Sequence, residues 1–387
     1  MGSVVEETWG LDIFSNAIEL ANNSDPNELL QAFKTEFSIR FSPDSDLFTG
    51  PSARVLLKEL FISLKKHGYK DVWLCNYNCP VVFSAAEIVG LPVNFYSAEL
   101  LWGDEVAINN FYGSGRKNKS IWVIPHFFGR PSNLPFQLPD GVRERFFIIE
   151  DCAHTLGASL KHKHLGTHFD AGLFSFNLDK PISLLGGGIL SINSKQIDPR
   201  SYIFNDDFCD DDTELLKQAL EDWNYIRKLI RTKNPILKLA YKVKLKLILG
   251  NIPQTSFLFG PARSALGLAA LRDFDMVRQE REFRAERIFG PFSQTLLPLP
   301  DGAKTSYLRK RILVPNDMER AKFIKSLKSK GILCGNLNWR LTGSRNASQF
   351  DREWSERGLD IPIDLFLTTK EEEVIKEALS EIEFSSL

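Results

Sequence analysis

Three groups of residues in this chain have types and spacing that can do chemistry. The first is Phe146-Phe-Ile-Ile-Glu-Asp-Cys-Ala-His154, an apolar run that ends in two carboxylates, with a histidine three residues beyond Asp151. A short, continuous apolar run reads as a buried parallel strand. Ligands in open α/β sheets bind beyond the carboxyl ends of such strands, where Asp151 and His154 fall. The plainer reading is that Asp151 caps the following turn and His154 sits at a core edge. The second group is Phe174-Ser-Phe-Asn-Leu-Asp-Lys180, followed by Gly186-Gly-Gly188. A desolvated lysine amine can form a Schiff base with an aldehyde cofactor, while an aspartate pairs with a pyridine nitrogen. The plainer reading makes Lys180 a surface residue of a hairpin loop. The third group is Thr49-Gly-Pro-Ser-Ala-Arg54, which opens a helical pattern. Helix-start N–H groups and the Ser52 hydroxyl suit a phosphate, or Ser52 is simply an N-cap. Taken together, a phosphate cradle, a strand-end aspartate and a lysine among glycines are what a protein must offer pyridoxal 5'-phosphate.

The elements that must position these groups alternate along the chain. Helical patterns occupy Asp12–Leu20 and Asn27–Phe37, and another follows Ser52 with Val55, Leu56, Leu60, Phe61 and Leu64. Strand-like runs are Asp71–Cys75, Leu91–Tyr96, Ser120–Pro125 and Arg145–Glu150, with a helix over Val81–Val89. Leu173–Phe176 and Gly188–Asn193 read as two further strands. Short apolar runs separated by helices predict an α/β fold with a mostly parallel sheet covered on both faces. A long helix is expected over Ala262–Ala285. Beyond it come a strand at Leu308–Val314 and helices at Asp317–Lys330 and Thr369–Leu379. The expected division is a large domain over 1–284, with a charge-segregated insertion about 200–255, and a small α+β domain over 285–387.

Composition narrows the function class. Lys+Arg is 48 and Asp+Glu 49, so the large positive excess of a protein that coats nucleic acid is missing. The 5 Cys are odd in number and scattered, which argues against a disulfide framework and for a reducing compartment. Cys75 and Cys79 have no second pair or His at finger spacing, so no metal site is expected. The start, MGSVVEETWG, lacks a basic and apolar leader pattern, and the expected location is the cytoplasm.

The sequence also resembles the DegT/DnrJ/EryC1/StrS aminotransferases, sugar aminotransferases among fold-type I pyridoxal-phosphate enzymes. Glu150-Asp-Cys-Ala-His154 with Gly157-Ala158 is similar to that family's E-D-x-A-H/Q-x-x-G-A. Phe174-Ser-Phe176, Lys180 and Gly186–Gly188 resemble its F-S-F…K…G-G-G. Pro125–Gly129, Ala265–Leu271 and Leu359–Ile363 resemble three further motifs in the right order. The resemblance implies a seven-stranded, mostly parallel sheet, although the pattern itself marks fewer strands. It implies that Lys180 carries the cofactor and moves a proton, that Asp151 holds the pyridine nitrogen protonated, and that His154 lies against the ring. Ser175 would bind the phosphate with Ser52 and the Ala53 backbone. Cys79 falls where the family has an aromatic ring on the cofactor, with Tyr77 as a substitute, and Ser256 falls where a partner-subunit Asn reaches the phosphate. Pro51 removes one N–H from the cradle.

The activity implied is transamination of a keto sugar, nucleotide-linked, with glutamate or glutamine as amino donor, in a homodimer. Two rivals are a deoxysugar dehydratase of the same family, in which histidine typically replaces the Schiff-base lysine, and a non-catalytic scaffold with no need of Lys180, Asp151 and Ser175 together. The apolar stretch Ser256–Phe259 is expected to need a partner chain to cover it. Residues 206–246 carry a run of acids and then a run of bases with apolar residues between. A structural insertion is the expectation, with anionic lipid binding as the lesser alternative.

Overall fold

The computed structural model describes residues 11–113, 118–134, 142–177, 180–194, 212–214, 216–218, 221, 259–295, 299–330, 332, 334, 340–341, 343, 347–363 and 368–382. The apolar runs form the strands β1 (Asp46–Gly50), β2 (Asp71–Cys75), β3 (Val93–Tyr96), β4 (Ser120–Pro125), β5 (Phe146–Asp151), β6 (Ala171–Ser175) and β7 (Gly188–Ile192). They make one seven-stranded sheet in the order β1-β7-β6-β5-β4-β2-β3. β3, β2, β4, β5 and β6 are parallel, and β7 runs antiparallel to both of its neighbours. The seven-stranded α/β sheet agrees with the expectation. The strand that pattern reading missed is β1, which Ser42–Ser45 introduces in loop-like composition.

Side-chain alternation explains why both faces are covered. Along β4, Ile121 and Val123 join one core, while Trp122 and Ile124 join another. Phe147 and Ile149 of β5 follow the first pair, and Phe146 and Ile148 the second. With period two, a strand whose every residue is apolar must bury both faces. The first face packs against α3 (Ala53–Lys66) and α4 (Pro80–Val89). A third core joins α1 (Leu11–Asn23), α2 (Pro26–Phe41) and the 29-residue α5 (Pro261–Phe289) to Phe174, Phe176 and Ile189.

The N-cap of α5, Gly260, has no side chain to offer, and Asp212 supplies the missing acceptor. Its carboxylate takes the Gly260 and Ala262 N–H groups at 3.2 and 2.9 Å and the Arg263 guanidinium at 2.9 Å. An acid from the charge-segregated segment therefore caps the helix that the resemblance singled out. The rest of that segment lies outside the described residues. Phe259 corrects one expectation. It is buried by its own chain, stacked on Phe33 at 5.2 Å and edge-on to Phe176. Phe33 of α2 covers Phe259, while residues 256–258 of the same stretch lie outside the described residues.

Beyond α5, β8 (Arg309–Leu313) and β9 (Gly358–Pro362) pair antiparallel. They pack with α6 (Asp317–Ser329) and α8 (Thr369–Ser380) around Ile312, Leu359, Ile361, Phe323 and Ile375. Ile288 and Phe289 at the end of α5 enter the same core. α7 (Gln349–Arg357) starts with a capping box at Ser348 and Asp351. Asp351 is buried and also accepts from Asn76 Nδ2 and the Ala98 N–H, each at 2.7 Å, which ties α7 to the sheet edge. Among the described residues, no helix is long and apolar enough to cross a membrane.

Candidate active site

Every predicted site residue that the structure describes lies at the carboxyl-terminal edge of the sheet. β5 delivers Asp151 there, β6 delivers Ser175, and β1 leads through Pro51 to Ser52. β7 starts at the same edge, since it runs the other way. Across it, Gly50 pairs with Gly188, and Gly188 pairs with Ser175. Gly188 therefore sits between Gly50 and Ser175, while Ser52 bridges to the neighbouring Gly187. A Cβ there would come within 2.7 Å of the Ala53 nitrogen and 2.8 Å of the Phe174 carbonyl. Neither backbone atom can move aside without distorting α3 or β6. Gly188→Ala should destabilise the fold by about 1–3 kcal/mol and weaken cofactor binding, as a lower Tm with a smaller shift on adding cofactor. A variant with unchanged Tm and unchanged shift would contradict this packing.

Ser52 is the N-cap of α3, and its hydroxyl accepts from the Val55 N–H at 3.3 Å. The N-cap and cradle readings therefore coexist, because the hydroxyl's own hydrogen stays available. Pro51 has no N–H, but its carbonyl accepts from the Gly187 N–H at 2.9 Å and pins the glycine run to the cradle. That run needs glycine: φ is +136° at Gly186 and +88° at Gly187.

Asp151 is buried, and its Oδ1 accepts from the Ala153 N–H at 3.1 Å. Burial pushes its pKa up, while the Ala153 N–H and the charge of Lys180 pull it back. Lys180 is half-buried, and its N–H donates to the Asn177 carbonyl at 3.1 Å. The next residue is held from behind, where buried Arg281 of α5 donates to the Pro181 carbonyl at 3.1 Å. Sequence reading missed Arg281, which is simply one more charged residue on a long helix.

His154 is buried, and its Nδ1 accepts from the Phe128 N–H at 3.4 Å. A neutral ring with Nδ1 as acceptor carries its hydrogen on Nε2, which is then a donor. His126, beneath it, works the same way. Its Nδ1 accepts from the Ser132 N–H at 3.0 Å, so Nε2 carries the hydrogen and donates to Glu150 Oε1 at 3.2 Å. Glu150 Oε2 accepts from the His168 and Phe169 N–H groups at 2.8 and 3.3 Å. Burial pushes Glu150 up, but the His126 hydrogen bond brings its pKa below the usual range. His126, Glu150 and Cys152 bring ligand atoms within 4.8 Å of one another. In this arrangement His126 Nε2 is engaged by Glu150, and the three residues form a hydrogen-bonded cluster next to Asp151 in the chain.

Three predicted residues stand differently. Tyr77 is buried, with its hydroxyl accepting from Arg311 Nη1 at 2.7 Å, and burial pushes that hydroxyl up to about 12. It is engaged by β8. Cys79 is half-buried at the N-cap of α4, and its N–H donates to Asn78 Oδ1 at 2.7 Å. Ser256 lies outside the described residues. The structure thus draws Asp151, Lys180 and His154 to one edge, with Ser52, Ala53 and Ser175 beside them.

These residues fit pyridoxal phosphate. Two hydroxyls and a helix start flank the glycine that lets them approach, and a buried carboxylate awaits a cation.

A family model described as the DegT/DnrJ/EryC1/StrS aminotransferase family matches residues 116–375. The GDP-perosamine synthase of Escherichia coli O157:H7 is 33% identical over 88 residues, 23% of this chain and 24% of that protein. An uncharacterized protein of Methanocaldococcus jannaschii is 25% identical over 223 residues, 54% of this chain and 50% of that one. The chain therefore spans half or less of the length of these curated relatives. Among solved structures, Spr1654 of Streptococcus pneumoniae in its PLP form superposes with a TM-score of 0.70 at 16% identity, covering 96% of this chain and 97% of that one. Helicobacter pylori PseC, an aminotransferase involved in the biosynthesis of pseudoaminic acid, gives 0.68 at 16% identity over 95% of each chain. At such identities these two likenesses speak for the fold alone. The family match covers most of the chain and includes the strand-end aspartate, the lysine and the glycine run: the chain belongs to the DegT/DnrJ/EryC1/StrS aminotransferase family.

Proposed function

We propose that this protein is a pyridoxal-phosphate-dependent transaminase. Its amino donor is glutamate or glutamine, and its acceptor is a nucleotide-linked keto sugar. The observation that carries the reading is Asp151, buried at a strand end within electrostatic reach of Lys180. When bound, pyridoxal phosphate supplies an aldehyde for an amine and a ring that takes up electrons. The chain's own residues do the rest. Lys180 would bind the cofactor through its amine and, once released, would move a proton at the substrate carbon. Asp151 would pair with the pyridine nitrogen, and His154 would hold its Nε2 hydrogen toward the cofactor. Ser52, Ala53 and Ser175 take the phosphate, with Ser256, Cys79 and Tyr77 as further contacts of the same proposal.

The proposal extends to a homodimer and to a large unit over 1–284 with a C-terminal unit over 285–387. A dehydratase reading has a structural likeness behind it. A GDP-4-keto-6-deoxymannose-3-dehydratase with bound GDP-perosamine gives a TM-score of 0.67 at 15% identity, covering 96% of this chain and 98% of that chain. Lys180 favours transfer over dehydration.

The test is spectroscopic. Reconstituted protein should absorb in the visible, and glutamate or glutamine should bleach that band and leave the corresponding 2-oxo acid. A nucleotide-linked keto sugar should then restore it. Protein that takes up no cofactor, or a band that no amino donor bleaches, would overturn the proposal. Light scattering at assay concentration checks the dimer, and an active monomer would contradict it.

A further inference from the structure

The turn that leaves β4 touches both Asp151 and His154, and one imidazole fastens it. The His126 N–H donates to the Asp151 carbonyl at 3.1 Å. Two residues on, the Phe128 N–H donates to His154 Nδ1 at 3.4 Å. The His126 ring is held at both ends. The Ser132 N–H closes the turn on Nδ1, and Nε2 donates to Glu150 Oε1 on β5. His126, Phe128, Ser132, Glu150 and His154 are all buried. The chain from 126 to 132 is therefore a loop closed by its own first side chain and pinned to the neighbouring strand.

The place of each hydrogen follows from the one before it. Against the pull of burial, the His126 hydrogen bond keeps the Glu150 pKa below the usual range, so Glu150 is an acceptor. Its Oε2 takes the His168 and Phe169 N–H groups, and its Oε1 faces His126. Nε2 of His126 therefore carries the hydrogen, and Nδ1 is left as the acceptor that the Ser132 N–H requires. With the turn so placed, the Phe128 N–H faces His154 Nδ1. A backbone N–H only donates, so the His154 hydrogen goes to Nε2.

The backbone of the turn shows that this placement is imposed. Phe128 is a bulky residue in the left-handed region, at φ +57°. Strained residues of this kind persist where surrounding structure holds them, and they cluster at functional sites. The turn is also clasped from outside, where the Ser306 N–H donates to the Gly129 carbonyl at 2.9 Å. Ser306 Oγ donates to the His154 carbonyl at 2.8 Å. The ring of His154 is thus held from the turn, and its main chain from the clasp.

We propose that His126 is a positioning residue: by anchoring the turn to Glu150 it aims the Phe128 N–H at His154 and keeps the His154 hydrogen on Nε2. This deepens the transaminase reading, and its consequence for turnover rests on that reading.

The experiment is nitrogen NMR of the full chain carrying isotope-labelled histidine, cofactor-free, at about pH 8, above the ordinary histidine range. His154→Gln identifies the His154 signals. In the wild type they should show a neutral ring with its hydrogen on Nε2. His126→Asn keeps an oxygen for the Ser132 N–H but is too short to reach Glu150. Glu150→Gln keeps the volume but sets an amide N–H against one of its donors. In both variants His154 should become a mixture of tautomers. After cofactor loading, kcat should fall about tenfold, with the KM of the amino donor changing by less than about threefold. His126→Gln gives up the Ser132 bond but can still donate to Glu150, and it should keep the wild-type His154 signals. A purely structural role would lower the Tm of the Asn variant and leave the His154 signals where they were, and that result overturns the proposal. A wild-type His154 with its hydrogen on Nδ1 also overturns it, whether or not any variant folds. Protein that shows the tautomer change yet never gains cofactor absorbance overturns the transaminase reading and leaves the role of His126 standing.

Discussion

Lys180→Ala should remain folded and lose turnover by about four orders of magnitude or more, since proton transfer alone contributes about 10²–10⁴-fold. The fold should survive because two hydrogen bonds at this turn involve backbone groups that the substitution leaves in place. The Lys180 N–H bonds the Asn177 carbonyl, and Arg281 holds the Pro181 carbonyl. Alanine keeps both, so the stability change should stay within about 1 kcal/mol. Cofactor should still bind through the cradle at Ser52, Ala53 and Ser175, but weakly, because the covalent hold is gone. A small exogenous amine should restore part of the activity, since it replaces the missing nitrogen. Borohydride reduction of wild-type protein should fix the cofactor on one peptide, the one containing Lys180. A reduced adduct on another lysine would remove Lys180 from its role, and so would an alanine variant within tenfold of wild-type turnover.

Asp151→Asn should divide stability from activity. The wild-type carboxylate is buried, and its pKa is raised above the ordinary 3.8, chiefly by desolvation. The sign follows from linkage. A group whose folded pKa is raised costs nothing below its unfolded value and destabilises as pH rises through the folded value. At pH 7 the cofactor-free wild type bears this cost, and asparagine does not. The Asn side chain can still accept from the Ala153 N–H. Cofactor-free Asp151→Asn should therefore melt above cofactor-free wild type at pH 7, with the gap closing as pH falls toward 3.8. Cofactor should reverse the order, because a protonated ring nitrogen stabilises the carboxylate and not the amide. Turnover should fall by about 10²-fold or more. An Asn variant with near-normal turnover, or a cofactor-free Asn variant that melts below wild type at pH 7, would show that Asp151 is not the buried anion described.

Much of the site was legible because its chemistry is local. Glu150-Asp151, Lys180 and Gly186–Gly188 are close in sequence to the strand ends that carry them. Strands with every residue buried read as continuous apolar runs, so β4, β5 and β7 could be placed within a residue or so. β1 could not. Its burial begins only at Phe48, and it belongs to the sheet because β7 pairs with it. Helix starts were legible where a side chain caps its own helix, as Ser52 does. The start of α5 has no local signal of that kind, because its cap, Asp212, is 48 residues away from Gly260.

The sequence by itself determined the fold class through its apolar runs and, through the family resemblance, the cofactor chemistry, and it nominated Asp151, Lys180 and the cradle serines. Apolar runs mark the strand ends near which these residues fall. The tertiary structure alone decided what stands behind them. Arg281 reaches Pro181 across 100 residues, Arg311 engages Tyr77 across 234, and Phe128 meets His154 across 26. Hydrogen bonds and charges act over a few ångströms of space whatever the distance along the chain. Only the packed sheet could set the pKa direction of Asp151, bring Gly188 against the start of α3 and the end of β6, and pair Arg311 with Asp360.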